Sequence, residues 1–218
     1  MNLTWELATT YSVLIPAVTG WVRFKRIHPT FYPLLFVIWL GLLNELISSV
    51  LIFGLRSSNA VNSNFYVLAE ALLLLWQFER WGTFSNKKQF YQITFAAILC
   101  AWIIDNFLIS GITHFCSFFM IFYSTLICLL SIDHINFIVI RERKNILRNA
   151  GFLICATFVV YHSYKAMVEA FWLYGKGSPA FKDNVYKIHG AINFLSNCIF
   201  ALAILWAPQK QKFSLPSS

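Results

Sequence analysis

The chain has 218 residues, 58% of them hydrophobic and only 12% charged, with a formal net charge of +8. Soluble domains average about 45–50% apolar and about 25% charged, so this balance excludes an ordinary soluble domain. It also excludes a basic nucleic-acid-binding module, because the excess cations sit in short loops between apolar runs.

Apolar windows of roughly 20 residues, each long enough to cross a hydrocarbon core about 30 Å thick as a helix, recur along the chain. They fall at about 7–23, 31–54, 65–83, 91–110, 114–132, 150–174 and 184–206. The short alternating strands of a membrane β-barrel are not present in the pattern. The expected fold class is all-α: a polytopic seven-transmembrane helix bundle, one domain over 1–208 with a short polar tail at 209–218. The N-terminal MNLTWE has neither a basic n-region nor a small-residue cleavage site, so no removed signal peptide is expected.

The first span is the most diluted, by Thr9, Thr10, Ser12, Pro16 and Thr19. The second opens with Pro33 in its first turn, where a missing N–H costs nothing, and carries Glu45 beside Asn44. The loop SSNAVNSN (57–64) offers Asn and Ser caps before a third span with Tyr66 and Glu70. Asp105 and Asn106 are in the fourth span, and Asp133 with His134 closes the fifth at the inner rim. The sixth holds His162, Lys165 and Glu169 at i, i+3 and i+7, one helical face, with Lys165 and Glu169 placed to pair. The seventh aligns Tyr186, His189, Asn193 and Asn197. Trp5, Trp21, Trp81, Trp172 and Trp206 fall near span ends, as an interfacial belt requires.

Loop charge sets the orientation. One set of loops holds Arg23, Lys25, Arg26, Arg80, Lys87, Lys88, Arg141, Arg143, Lys144, Arg148, Lys210 and Lys212, against Arg56, Lys176, Lys182 and Lys187 in the other. The N-terminus is expected outside and the C-terminus in the cytoplasm of a cell with this inner membrane, the basic rim facing anionic lipid headgroups. Cys100, Cys116, Cys128, Cys155 and Cys198 form no CxxC pair or metal spacing and read as small apolar packing residues.

An ionisable side chain within a span costs at least about 2.5–3.5 kcal/mol, so each one asks for a reason. At 1.5 Å per residue, Glu70, Asp105 and Glu169 are about 8 Å below the outer end of their spans, His189 about 9 Å, Glu45 about 12 Å and Lys165 about 14 Å. His162 and Asn193 approach the midplane. Helices running in opposite directions thus bring acids and bases to one level, and polar faces turned to lipid are untenable. The expectation is an outward-opening polar pocket lined by Glu45, Tyr66, Glu70, Asp105, His162, Lys165, Glu169, Tyr186, His189 and Asn193. Asn44, Asn106 and Asn197 read instead as interhelical glue.

Such a pocket fits a receptor-like or sensory protein that takes a small polar or cationic ligand and signals through a partner, since the chain carries no output domain. A proton-coupled transporter with Glu45, Glu70 and His189 as protonation sites is the alternative. A zinc-dependent intramembrane hydrolase using His162, His189, Glu45, Glu70 and Asp105 comes third, because no HExxH or HxxxH scaffold is present. Retinal is not expected: the depth at which seven-helix retinal proteins carry their Schiff-base Lys on the last helix is taken here by Asn193 to Asn197. No catalytic residue is marked.

The stretch NELISS in the second span, followed by NSNFYVLAEALLLLWQF, resembles short seven-helix membrane proteins of Bacteroidetes-type bacteria. There an acid on the second helix precedes an Asn…Tyr…Glu entry to the third. The resemblance covers about the first half of the chain. It implies a seven-helix architecture related to sensory modules and marks Glu45, Tyr66 and Glu70.

Overall fold

The computed structural model describes residues 8–85, 87–141, 146–175 and 179–210, the side chains of 179, 180 and 182 excepted. Trp5, Arg143, Lys144, Lys176, Lys212 and the end of the polar tail therefore lie outside the described residues, as does the Lys182 side chain. The described residues form seven α-helices and no strand: α1 (Leu14–Arg23), α2 (Tyr32–Ser49), α3 (Ala60–Arg80), α4 (Lys88–Ile104), α5 (Ser117–Arg141), α6 (Ala150–Leu173) and α7 (Pro179–Trp206). Short 3-10 turns at Tyr11–Val13 and Pro29–Phe31 lead into α1 and α2. π-helical turns at Val50–Gly54 and Asp105–Ile109 finish α2 and α4.

Five stretches are long and apolar enough to cross a membrane: Pro29–Gly54, Lys88–Ile109, Ser117–Arg141, Ala150–Leu173 and Asp183–Trp206. The other two expected spans form helices of a different character. α1 proper has 10 residues, about 15 Å at helical rise. α3 is 21 residues long but carries Asn62, Asn64, Glu70, Gln77, Glu79 and Arg80. It turns Asn64, Glu70 and Gln77 into the bundle, all three buried, and leaves Val61, Phe65 and Trp76 exposed.

Consecutive helices pack against one another around the bundle, and α1 returns to lie on α7. Gly20 allows the neighbouring α2 close: a Cβ there would stand 2.8 Å from Leu35 Cδ2. At the basic end, an antiparallel bridge joins Ile27 to Gln209, and His28 N–H donates to Pro208 O at 2.8 Å. Arg23 donates its guanidinium N–H to Leu205 O, a cation on the last-turn carbonyls of α7, where the helix dipole favours it.

Beside an apolar core, several polar residues are fully buried while large apolar side chains cover the outside. Asn64, Gln77 and Ser124 are 0% exposed, while Leu108, Ile140 and Phe53 are 78%, 77% and 75% exposed. Trp21, Trp172 and Trp206 are exposed near helix ends. Three of the expected packing cysteines, Cys116, Cys128 and Cys155, are buried, and Cys100 is exposed.

The element ends correct the sequence reading at several points. α5 runs on to Arg141, beyond the expected end near 132, because IDHINFIVIR keeps an unbroken helical run. His134 therefore lies within a helix rather than on a solvated rim. It is 6% exposed and stacked on Trp81 at 4.8 Å between ring centroids. Asp133, its neighbour, is exposed.

Candidate functional site

The inward faces of α2, α3, α6 and α7, with the turn leading into α1, enclose a cavity of about 340 Å³. Its wall holds Glu45 and Gly41 from α2, Tyr66 and Glu70 from α3, and Tyr161 from α6. α7 adds Tyr186, His189, Asn193, Asn197 and Phe200, and the entry segment adds Thr9 and Thr10. Helical spacing explains each contribution. Tyr66 and Glu70 are at i and i+4, and Tyr186, His189, Asn193, Asn197 and Phe200 step along one stripe of α7.

Two close approaches shape the cavity. A Cβ on Gly41 would be 3.5 Å from the Tyr66 hydroxyl, and one on Gly190 would be 3.3–3.4 Å from Thr9 side-chain atoms. The α7 amides then tie the entry segment down. Asn193 Nδ2 donates to Thr9 O at 3.1 Å, Asn197 Nδ2 to Ser12 Oγ at 2.8 Å, and Ser12 Oγ to Thr9 O at 2.7 Å. Asn197 thus serves as glue and as wall at once.

Behind the cavity is a buried charge cluster. Glu70, 5% exposed, accepts from the Tyr66 hydroxyl at 3.1 Å and from the Tyr123 hydroxyl on α5. It also pairs with Lys165 Nζ at 3.2 Å. Lys165 in turn donates to the Tyr123 oxygen and is 5.0 Å from the centroid of its ring. One carboxylate therefore takes three donors from three helices, which is what a buried charge needs to be tolerated.

The arrangement corrects one expected pairing. Lys165 meets Glu70 on α3 rather than Glu169 on its own helix; Glu169 accepts from Ser117 Oγ at the start of α5, 2.8 Å away. Asp105 works beside it, accepting from Ser110 Oγ at 2.6 Å and from Phe119 N–H at 2.8 Å. Asp105 thus caps the first amides of α5 while Glu169 holds the Ser117 hydroxyl of the same turn, and neither acid lines the cavity. Asn64 completes the α4–α5 junction, accepting from Cys116 N–H at 3.1 Å and donating to Ile112 O and His114 O at 3.1 and 2.7 Å.

Of the ten expected site residues, Glu45, Tyr66, Glu70, Tyr186, His189 and Asn193 line the cavity. Lys165 stands one contact behind it, through Glu70. His162 is 1% exposed, packed edge-on to Tyr123 and Phe158, with Nδ1 3.5 Å from Ser124 Oγ. It is a core histidine. The α6 residue that reaches the cavity is Tyr161, one position from the stripe singled out in the sequence. Tyr123 was also not anticipated: a tyrosine in an apolar span reads as an ordinary large side chain until its partners on other helices are known.

The polar wall is unevenly satisfied. Glu70 is fully matched, whereas Glu45 takes no hydrogen bond or ion pair among the described residues. His189 stacks on Tyr164 with 6.0 Å between centroids, and its buried Nδ1 has no hydrogen-bond partner. The cavity therefore offers one unmatched carboxylate, one unmatched imidazole nitrogen and three tyrosine rings. Among the described residues, no three His, Cys, Asp or Glu side chains converge as a metal site. No family model, curated protein or solved structure matches the chain.

Proposed function

We propose that the chain is a multi-pass membrane protein of the receptor-like or sensory kind, binding a small organic cation in this cavity and signalling through a partner. The observation that carries the reading is Glu45, a carboxylate on the wall of a cavity of about 340 Å³ with no cation or donor of its own among the described residues. An unpaired charge in a low-dielectric site is costly, and a cationic ligand removes that cost while Tyr66, Tyr161 and Tyr186 offer ring faces to it. The volume falls at the small end of the range for small-molecule pockets.

In this reading all seven helices cross the bilayer, α1 together with its entry segment and α3 screened by its neighbours. The N-terminus is outside, since the basic loops gather at the opposite end. The cavity then opens outward, on the side of the Tyr186 end of α7. The resemblance of NELISS and NSNFYVLAEALLLLWQF to seven-helix proteins related to sensory modules adds to this reading through Glu45, Tyr66 and Glu70.

The chain of donors from Lys165 through Tyr123 to Glu70 favours a second reading, a proton-coupled carrier, because a buried acid linked to the cavity is what such coupling uses. Thermal unfolding of the purified protein with a panel of small amines and quaternary ammonium ions, against neutral isosteres, tests the first reading. Stabilisation by cations without uptake into proteoliposomes supports the receptor. Proton-coupled uptake that Glu70→Gln abolishes supports the carrier.

A further inference from the structure

A second cavity, of about 480 Å³, lies at the opposite, basic end of the bundle. Phe31, Trp81, Phe137 and Trp206 give it aromatic walls, and its polar groups are His134, Arg148 and the first turn of α6 at Asn149, Ala150 and Gly151. Among the described residues, no Asp or Glu lines it. Asp133 borders the smaller adjoining cavity of about 190 Å³.

Four features of this cavity point to one ligand chemistry. Arg148 is exposed and takes no ion pair or hydrogen bond among the described residues. A second guanidinium, that of Arg141, stands 4.1 Å from the ring centroid of the wall residue Phe137. The first two amides of the 24-residue α6, those of Ala150 and Gly151, have no acceptor among the described residues, since the Asn149 cap is used on Phe152 N–H. There is no acid in that first turn to take the positive end of the helix dipole. His134, 6% exposed, has Nδ1 engaged by Thr83 Oγ1 at 3.3 Å, while Nε2 faces the α6 start, 3.9 Å from where a Gly151 Cβ would stand. In the tautomer where the Thr83 hydroxyl donates to Nδ1, Nε2 carries the ring proton and can donate into the cavity.

We infer that this cavity binds a phosphate-bearing anion, held by the Arg148 guanidinium, His134 Nε2 and the opening amides of α6, and that its source is an anionic phospholipid headgroup. Oriented amides, a planar guanidinium and an imidazole N–H are complementary to phosphate oxygens. The lipid source follows from the flanks: Ile140 and Leu147 are 77% and 71% exposed beside the site, a surface suited to acyl chains, and Trp81 and Trp206 are suited to the headgroup level. Basic pockets between helices at a cytoplasmic face bind such headgroups elsewhere.

The test is thermal unfolding of the full-length protein in neutral detergent, titrated with phosphatidylglycerol, with phosphatidylcholine, and separately with inorganic phosphate. Phosphatidylglycerol is expected to raise Tm by about 3 °C at saturation, at least twice the effect of phosphatidylcholine. Arg148→Ala, at an exposed position, loses at least half of that shift and Arg148→Lys recovers part of it. Lys88→Ala, an exposed cation at the same end, keeps the shift. Stabilisation by inorganic phosphate alone that Arg148→Ala removes also upholds the anion site, with a soluble source in place of lipid. Equal shifts from the two lipids, no shift from any probe, or a shift unchanged in Arg148→Ala overturns the inference.

Discussion

Lys165 Nζ on α6 lies 3.2 Å from Glu70 Oε2 on α3, a pairing across 95 positions of sequence. With Tyr123 from α5 between them, the contact ties three helices at one point and leaves Glu45 as the acid of the cavity wall with no partner among the described residues. This division of labour gives the bundle a polar lock and, in the proposed reading, a charge left open for a ligand.

The lock is expected to be strained by halves and tolerant of wholes. Lys165→Met strands the Glu70 charge and destabilises the protein by about 3–5 kcal/mol. The double change Lys165→Met with Glu70→Leu costs clearly less, because no charge is left buried alone. Thermal unfolding in detergent reads both, and equal losses would contradict the pairing.

Tyr123→Phe removes only the hydroxyl that donates to Glu70 and accepts from Lys165. The expected loss is about 1–3 kcal/mol, larger than for Tyr164→Phe, whose hydroxyl donates to the Val185 carbonyl at 3.0 Å at the half-exposed edge of the bundle.

Asn64→Leu keeps the volume of a 0% exposed side chain but strands the Cys116 N–H and the carbonyls of Ile112 and His114. A loss of about 2–4 kcal/mol is expected. Hydrogen exchange should rise across residues 110–119 first, since that segment is what Asn64 holds.

The seven helices were legible in the sequence because hydrophobic windows of the right length and Pro, Gly and Asn punctuation coincide along it. The level shared by Glu45, Glu70, Lys165 and His189 was legible too, as depth follows from counting residues along antiparallel helices. Azimuth was not. Whether His162 or Tyr161 faces the cavity depends on the rotation of α6 about its axis, and its apolar surroundings leave that rotation unmarked. The Asp105 and Glu169 side chains were grouped with the pocket by depth alone, although the nearby start of α5 claims them. The π-helical turns at Val50–Gly54 and Asp105–Ile109 left no composition signal.

The outward opening of the cavity has its own check. In a variant with all five native cysteines replaced by Ser, Asn193→Cys and Tyr186→Cys are expected to react with a membrane-impermeant maleimide added to the outside of intact cells. Protection of both positions from outside, with labelling from the cytoplasmic side, would reverse the orientation.

The claim on which the account rests is that Glu45 is the charge a cationic ligand meets. The most direct measurement is calorimetric titration of the best-stabilising amine or ammonium probe into the wild-type protein and into Glu45→Gln, which keeps shape and removes charge. The account predicts at least a tenfold loss of affinity in Glu45→Gln, about 1.4 kcal/mol, with Tm in the absence of probe unchanged or raised. Equal affinity for the two proteins would contradict it.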